Sequence, residues 1–199
     1  MSLDGFVAGP NQTREEPLGA GGESLHEWLF PLAIFGYGGG TEVNASTAVV
    51  QEWEANVGAH IMGRNMFASG RGEWDPEWTG WWGEDPPYHT PVYVLTHYPR
   101  ESVAMKGGTT FHFVTDGIES ALSQAREAAG AKDILIAGGA SCVRQYLAAG
   151  HIDEFELSLA PLLLHSGERL FEGVPGLRAE QVRAVDAPGV THVKYRILK

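Results

Sequence analysis

Residues 133–147 read Asp-Ile-Leu-Ile-Ala-Gly-Gly-Ala-Ser-Cys-Val-Arg-Gln-Tyr-Leu, and this stretch limits the fold more than any other. The apolar run 134–137 is the kind that makes a strand buried on both faces, which requires helices on either side of a sheet. Apolar positions from Val143 to Leu147 then recur at helical spacing. The order is strand, glycine pair, helix. Gly138 and Gly139 carry no Cβ, so a ligand can approach the backbone there, and the following helix N-terminus favours a phosphate. Two readings are open: the seat of a phosphate-bearing cofactor, or a tight turn and nothing more. A lone Gly-Gly falls short of a dinucleotide fingerprint, so the rest of the chain has to decide.

Composition narrows the choice. At 199 residues with 43% hydrophobic content, the chain suits a single domain over residues 1–199 with one sizeable core. A net charge of -11 argues against a nucleic-acid or anionic-membrane surface, so a bound phosphate needs backbone N–H groups and a few placed cations. With Cys142 alone, no intramolecular disulfide forms, and the thiol reads as buried and inert. Nothing resembles a signal peptide or a spanning stretch, and the cytoplasm is the expected compartment.

Along the chain, residues 1–9 look like the tail of a strand entering a turn at Asp4-Gly5. Residues 10–23 read as a loop, and Leu25, Trp28 and Leu29 give a short helix its apolar face. Residues 34–44, with a Gly-Tyr-Gly-Gly-Gly run, read as a flexible surface segment, and 47–54 as a helix. A strand at 57–62 runs into Gly63-Arg64-Asn65, where Asn65 is expected to cap a short helix. This second strand-to-helix turn carries an arginine, either an anion ligand or the partner of a surface carboxylate. Trp74, Trp78, Trp81 and Trp82 lie in an aperiodic stretch that folds over a cleft, meets another subunit or packs on the domain's own core. Strands follow at 92–96 and 111–115. Asp116 is expected to cap a helix whose Ile118, Ala121, Leu122 and Ala125 form the buried stripe before Gly130 ends it. Residues 153–160 alternate as a strand, and 182–185 with 193–198 form a closing antiparallel pair. Strand and helix alternate, implying a mixed sheet covered on both faces, with ligands at the carboxyl ends of its strands. Gly63-Arg64, Thr96-His97 and Gly138-Gly139 all fall there, which raises cofactor binding above a plain turn.

Ser2-Leu3-Asp4-Gly5-Phe6-Val7-Ala8, Met62-Gly63-Arg64, Val94-Leu95-Thr96, Ile136-Ala137-Gly138-Gly139 and the run from Ile152 to Pro161 together resemble the dihydrofolate reductase superfamily. Within it, the chain is most similar to the C-terminal reductase domain of the bifunctional riboflavin-biosynthesis deaminase-reductase. The resemblance implies an α/β fold with a central, mixed, mostly parallel eight-stranded sheet, flanking helices, a C-terminal antiparallel hairpin and bound NADPH. It implies that Gly63, Arg64, Asn65 and Met66 serve the adenosine-side phosphates, with Thr96 and His97 near the 2′-phosphate. Gly138, Gly139, Ala140 and Ser141 would take the pyrophosphate across a cis Gly138–Gly139 peptide, and Val7 with Ala8 the nicotinamide. Arg64, Thr96, His97 and Arg100 make a preference for the extra phosphate physically reasonable.

The implied activity is an NADPH-dependent oxidoreductase passing hydride to a small heterocyclic or ribosylaminopyrimidine-like acceptor at a CH–NH or sugar-imine bond. Asp4, Trp28 and Phe67 are candidates to line the acceptor, and Asp4 or Glu27 are the plausible proton relays. Where dihydrofolate reductase proper keeps a buried carboxylate, Leu25 or His26 stands here, so dihydrofolate reduction would need a substitute acid. The alternative is a nucleotide-binding protein without turnover. No zinc deaminase motif is present, and the eight histidines show no metal-ligand spacing. Most of the first strand expected before Ser2 is lacking, and a homodimer is the expected assembly.

Overall fold

A computed structural model describes residues 1–35, 39–68, 70 and 72–199. The chain, expected as one domain, groups into two compact units: Glu54–Val143, and Met1–Trp53 together with Arg144–Lys199.

In the first unit, β2 (Val57–Gly63), β3 (Pro91–Leu95), β4 (Val103–Ala104), β5 (Thr110–Val114) and β6 (Asp133–Gly138) form one sheet in the order β4-β5-β3-β2-β6. The β5-β3-β2-β6 pairings are parallel, and β4 joins β5 antiparallel. Val92, Tyr93 and Val94 are consecutive and all buried, as a central parallel strand requires. Helix α3 (Gly117–Ala129) lays Ala121, Leu122, Ala125 and Ala129 against β2 and β3. Asp116 does occupy its N-cap, but no side-chain cap bond forms. Gly130 ends the helix, at φ 60° and with its N–H donated to the Arg126 carbonyl. Met62, Phe67, Val92, Val94 and Phe111 make a core that takes in Trp74, Trp78 and Trp82, so the tryptophan-rich stretch packs largely on its own unit. β6 departs from expectation. It pairs only with β2 among the described residues, so residues 134–137 are all half-buried rather than buried on both faces.

In the second unit, β7 (Glu154–Leu159), β9 (Ala179–Ala187) and β10 (Val190–Ile197) form an antiparallel sheet ordered β7-β10-β9. The closing hairpin is present and longer than expected. β1 (Phe6–Ala8) pairs with the two-residue β8 (Glu168–Arg169). Helix α1 (Ala45–Trp53) packs on β9. Trp28, Leu29, Leu32, Ala187 and Val190 form the core here. The helix expected around Leu25 is instead a single 3-10 turn, Gly22–Leu25, ended at His26. Of residues 34–44, positions 36–38 lie outside the described residues. Met1 lies beside the end of β7, its amine donating to the Ser158 carbonyl at 2.6 Å and its carbonyl accepting from Ala160 N–H.

The described strands thus form sheets of five, three and two rather than one of eight. Two of them, β4 and β8, are two-residue pieces that exist only through their partners. No described helix is long and apolar enough to cross a membrane.

Candidate cofactor site

Because β3, β2 and β6 are parallel neighbours, their carboxyl ends come to one edge, where Gly63 is level with Leu95 and Met62 with Gly138. The turns after these strands carry Thr96, Arg64 and Gly139. Gly63 lies close against the first turn of the helix that begins at Ala140: a Cβ there would stand 3.3 Å from the Cys142 Cβ, tighter than an ordinary van der Waals contact. Gly138 has φ 125°, a region L side chains avoid, and the Gly138–Gly139 peptide is cis, as the resemblance implied. A Cβ on Gly139 would meet nothing within 4 Å, so space lies open beside that backbone.

Helix α4 (Ala140–Ala148) starts directly after the pair, with the Gly139 carbonyl accepting from the Cys142 and Val143 N–H groups. Open backbone followed by a nine-residue helix start fits a diphosphate. Cys142 is buried, and burial pushes its thiol up to about 12, which keeps it protonated and inert.

Helix α2 (Arg64–Phe67) takes Gly63, not Asn65, as its N-cap. The reason is register: the helix already includes Asn65, whose side chain is exposed. Arg64 donates to Thr96 Oγ1 at 3.5 Å, to the Gly70 carbonyl at 3.3 Å and to the Glu73 carbonyl at 3.4 Å. Its guanidinium lies 3.7 Å from the Trp74 ring centroid, and desolvation lowers its pKa. Thr96 is buried and accepts from Tyr98 N–H at 3.1 Å, while His97 is exposed. A surface pocket of about 570 Å³ opens alongside, lined by Glu73, Trp74, Tyr98, Arg100, Glu101 and Ser102 among others. In the sequence Trp74 stands out only as one of four clustered tryptophans with no role at this site, and Tyr98 does not stand out at all. No periodicity links an arginine at a strand end to aromatics in two later loops.

The acceptor-side candidates fare differently. Phe67 is 0% exposed, its ring against Trp74, Phe111 and Phe113, so it is core and not pocket lining. Trp28 likewise packs into its unit's core, donating Nε1–H to the Leu25 carbonyl at 3.0 Å with its ring 4.8 Å from that of His192. Both were expected beside a substrate, and long-range packing claims them instead. Asp4 accepts from Leu164 N–H at 3.1 Å and His165 N–H at 2.8 Å. Hydrogen bonding, from Ser2 first and then from these amides, holds its pKa at about 2. It is ionised at neutral pH and has no proton to give. Glu27 is exposed. Val7 and Ala8 lie on β1, half-buried and buried respectively.

The comparisons agree with this architecture. A protein from Shewanella sp. PV-4 described as belonging to riboflavin biosynthesis superposes with a TM-score of 0.67 at 20% identity, covering 100% of this chain and 96% of that one. Acinetobacter baumannii RibD gives 0.56 at 21% identity, with 100% of this chain against 56% of that one. The deaminase/5-amino-6-(5-phosphoribosylamino)uracil reductase of Thermotoga maritima gives 0.55 at 15%, over 99% and 54%. The uncharacterised YyaP of Bacillus subtilis (strain 168) is 30% identical over 92 residues, which is 44% of this chain and 48% of YyaP. The chain therefore spans about half the length of that relative and of the Acinetobacter and Thermotoga structures. The RibD C-terminal domain family matches residues 1–191, nearly the entire sequence, and the chain belongs to that family.

Proposed function

We propose that the chain is an NADPH-dependent reductase acting on a small heterocycle, of the ribosylaminopyrimidine type. The observation that carries this reading is the convergence of Gly63-Arg64, Thr96 and Gly138-Gly139 at adjacent parallel strand ends. The names of the similar structures, which refer to riboflavin biosynthesis and to a uracil reductase, support the choice of acceptor. When bound, NADPH supplies the hydride. The protein's share is to hold and orient. Backbone N–H groups at Gly139 and Ala140 meet the diphosphate, and Arg64 offers a planar charged donor to the adenosine-side phosphate. Thr96 and the exposed His97 border that phosphate, with Asn65 and Met66 in the same turn.

Titration of purified protein with NADPH, followed by nicotinamide fluorescence, tests the reading. Saturable binding is expected, and none at high micromolar concentration would overturn it. A second reading, nucleotide binding without turnover, is favoured by the commitment of Asp4 to two amides and the exposure of Glu27. Steady-state NADPH oxidation against ribosylaminopyrimidines, pterins and simple imines separates the two. A cytoplasmic homodimer completes the proposal on the strength of the resemblance, and light scattering after size exclusion tests the dimer.

A further inference from the structure

Two guanidinium groups share one indole. The Arg64 carbon lies 3.7 Å from the Trp74 ring centroid and the Arg100 carbon 5.6 Å from it. Trp74 is itself fixed: its Nε1–H donates to the Tyr98 carbonyl at 2.8 Å, in the loop that carries Thr96. Its ring meets Phe67 at 5.8 Å and Phe113 at 5.0 Å, both edge-on. Arg100 donates Nη2–H to the Pro76 carbonyl at 3.0 Å, while its Nη1 is buried without a hydrogen-bond partner. Two cations thus face one ring, the Asp75 carboxylate acting favourably on Arg100, and a multivalent anion draws on both positive charges.

We propose that Trp74 is the positioning residue for recognition of the adenosine 2′-phosphate, holding the Arg64 plane in place, with Arg100 as the second cation. This rests on the cofactor reading above and deepens it. The face of the indole holds the guanidinium by cation–π attraction, and the Gly70 and Glu73 carbonyls fix its rotation. Arg64 is thereby ordered before ligand arrives, so binding loses less side-chain freedom. A merely structural tryptophan would support all dinucleotides equally. A positioning one acts only where the extra phosphate is present.

The test is calorimetric titration of wild type, Trp74→Leu, Trp74→Phe and Arg64→Lys with NADPH and with NADH. Trp74→Leu is expected to weaken NADPH binding about tenfold, the scale of a partly desolvated cation–π contact, and to leave NADH within about twofold. Trp74→Phe keeps a ring and is expected to recover most of the NADPH affinity. Arg64→Lys keeps the charge but loses the plane, so it is expected to match Trp74→Leu and carries the test should that variant not fold. Equal weakening of both dinucleotides, or of neither, overturns the assignment of Trp74 while the cofactor reading stands. A wild-type protein that binds neither dinucleotide overturns both.

Discussion

Asp4 shows how one side chain can be mistaken for chemistry. An aspartate beside a glycine, near a presumed nicotinamide, reads as a proton relay, yet its two oxygens receive the Leu164 and His165 amides. Asp4→Asn keeps one acceptor oxygen and turns an NH₂ toward the other amide, which loses its partner. The variant is expected to melt at a lower temperature than wild type while retaining NADPH binding. Since the folded pKa is about 2 against 3.8 unperturbed, this carboxylate's contribution is complete above pH 3.8 and is lost as pH falls toward 2. Acid titration of the melting temperature checks it: the variant should lose less than wild type across that window. An unchanged melting temperature at neutral pH would mean the two amide bonds contribute nothing.

At the scale of elements, α3 was the most legible part of the chain, because its stripe repeats at helical spacing and glycine marks its end. Its stability is argued from the same stripe. Leu122 is 5% exposed on the face that meets β2 and β3, so Leu122→Ala is expected to cost about 3 kcal/mol, read from the urea midpoint. A cost below about 1 kcal/mol would show that this helix is not anchored by its stripe. β6 illustrates the opposite case: its apolar run announces a strand but not its place in the sheet, and an edge position leaves residues 134–137 half-buried. β4 and β8 carried no signal at all, being two-residue pieces defined only by antiparallel pairing, β4 with the nearby β5 and β8 with β1 far away in the chain.

For the molecule as a whole, the pH dependence of stability near neutrality comes from groups whose protonation burial disfavours: the Met1 amine, lowered from 8.0 to about 6, and several histidines. His192 is 1% exposed, with Nε2 2.9 Å from Ser46 Oγ and Nδ1 2.9 Å from Ser158 Oγ. Burial lowers its pKa, the charge of Glu156 opposing and that of Arg183 adding to the shift. The unfolded chain therefore binds the proton more readily, so the contribution is complete above pH 6.5 and is lost as pH falls below it. His26 and His112 are shifted the same way by burial. Urea midpoints are expected to fall between about pH 7.5 and 5.5, more steeply in wild type than in His192→Gln, and equal slopes would assign the effect elsewhere. Sequence by itself determined the strand-turn-helix alternation, the glycine joints and the arginine at the second of them, because these depend on neighbours within a few residues. Only the tertiary structure decided that Phe67 and Trp28 are core, that Asp4 is bound to backbone, and that Arg64 stacks on Trp74. Each of those depends on which distant segment comes to rest beside the residue, and a run of letters carries no local trace of that.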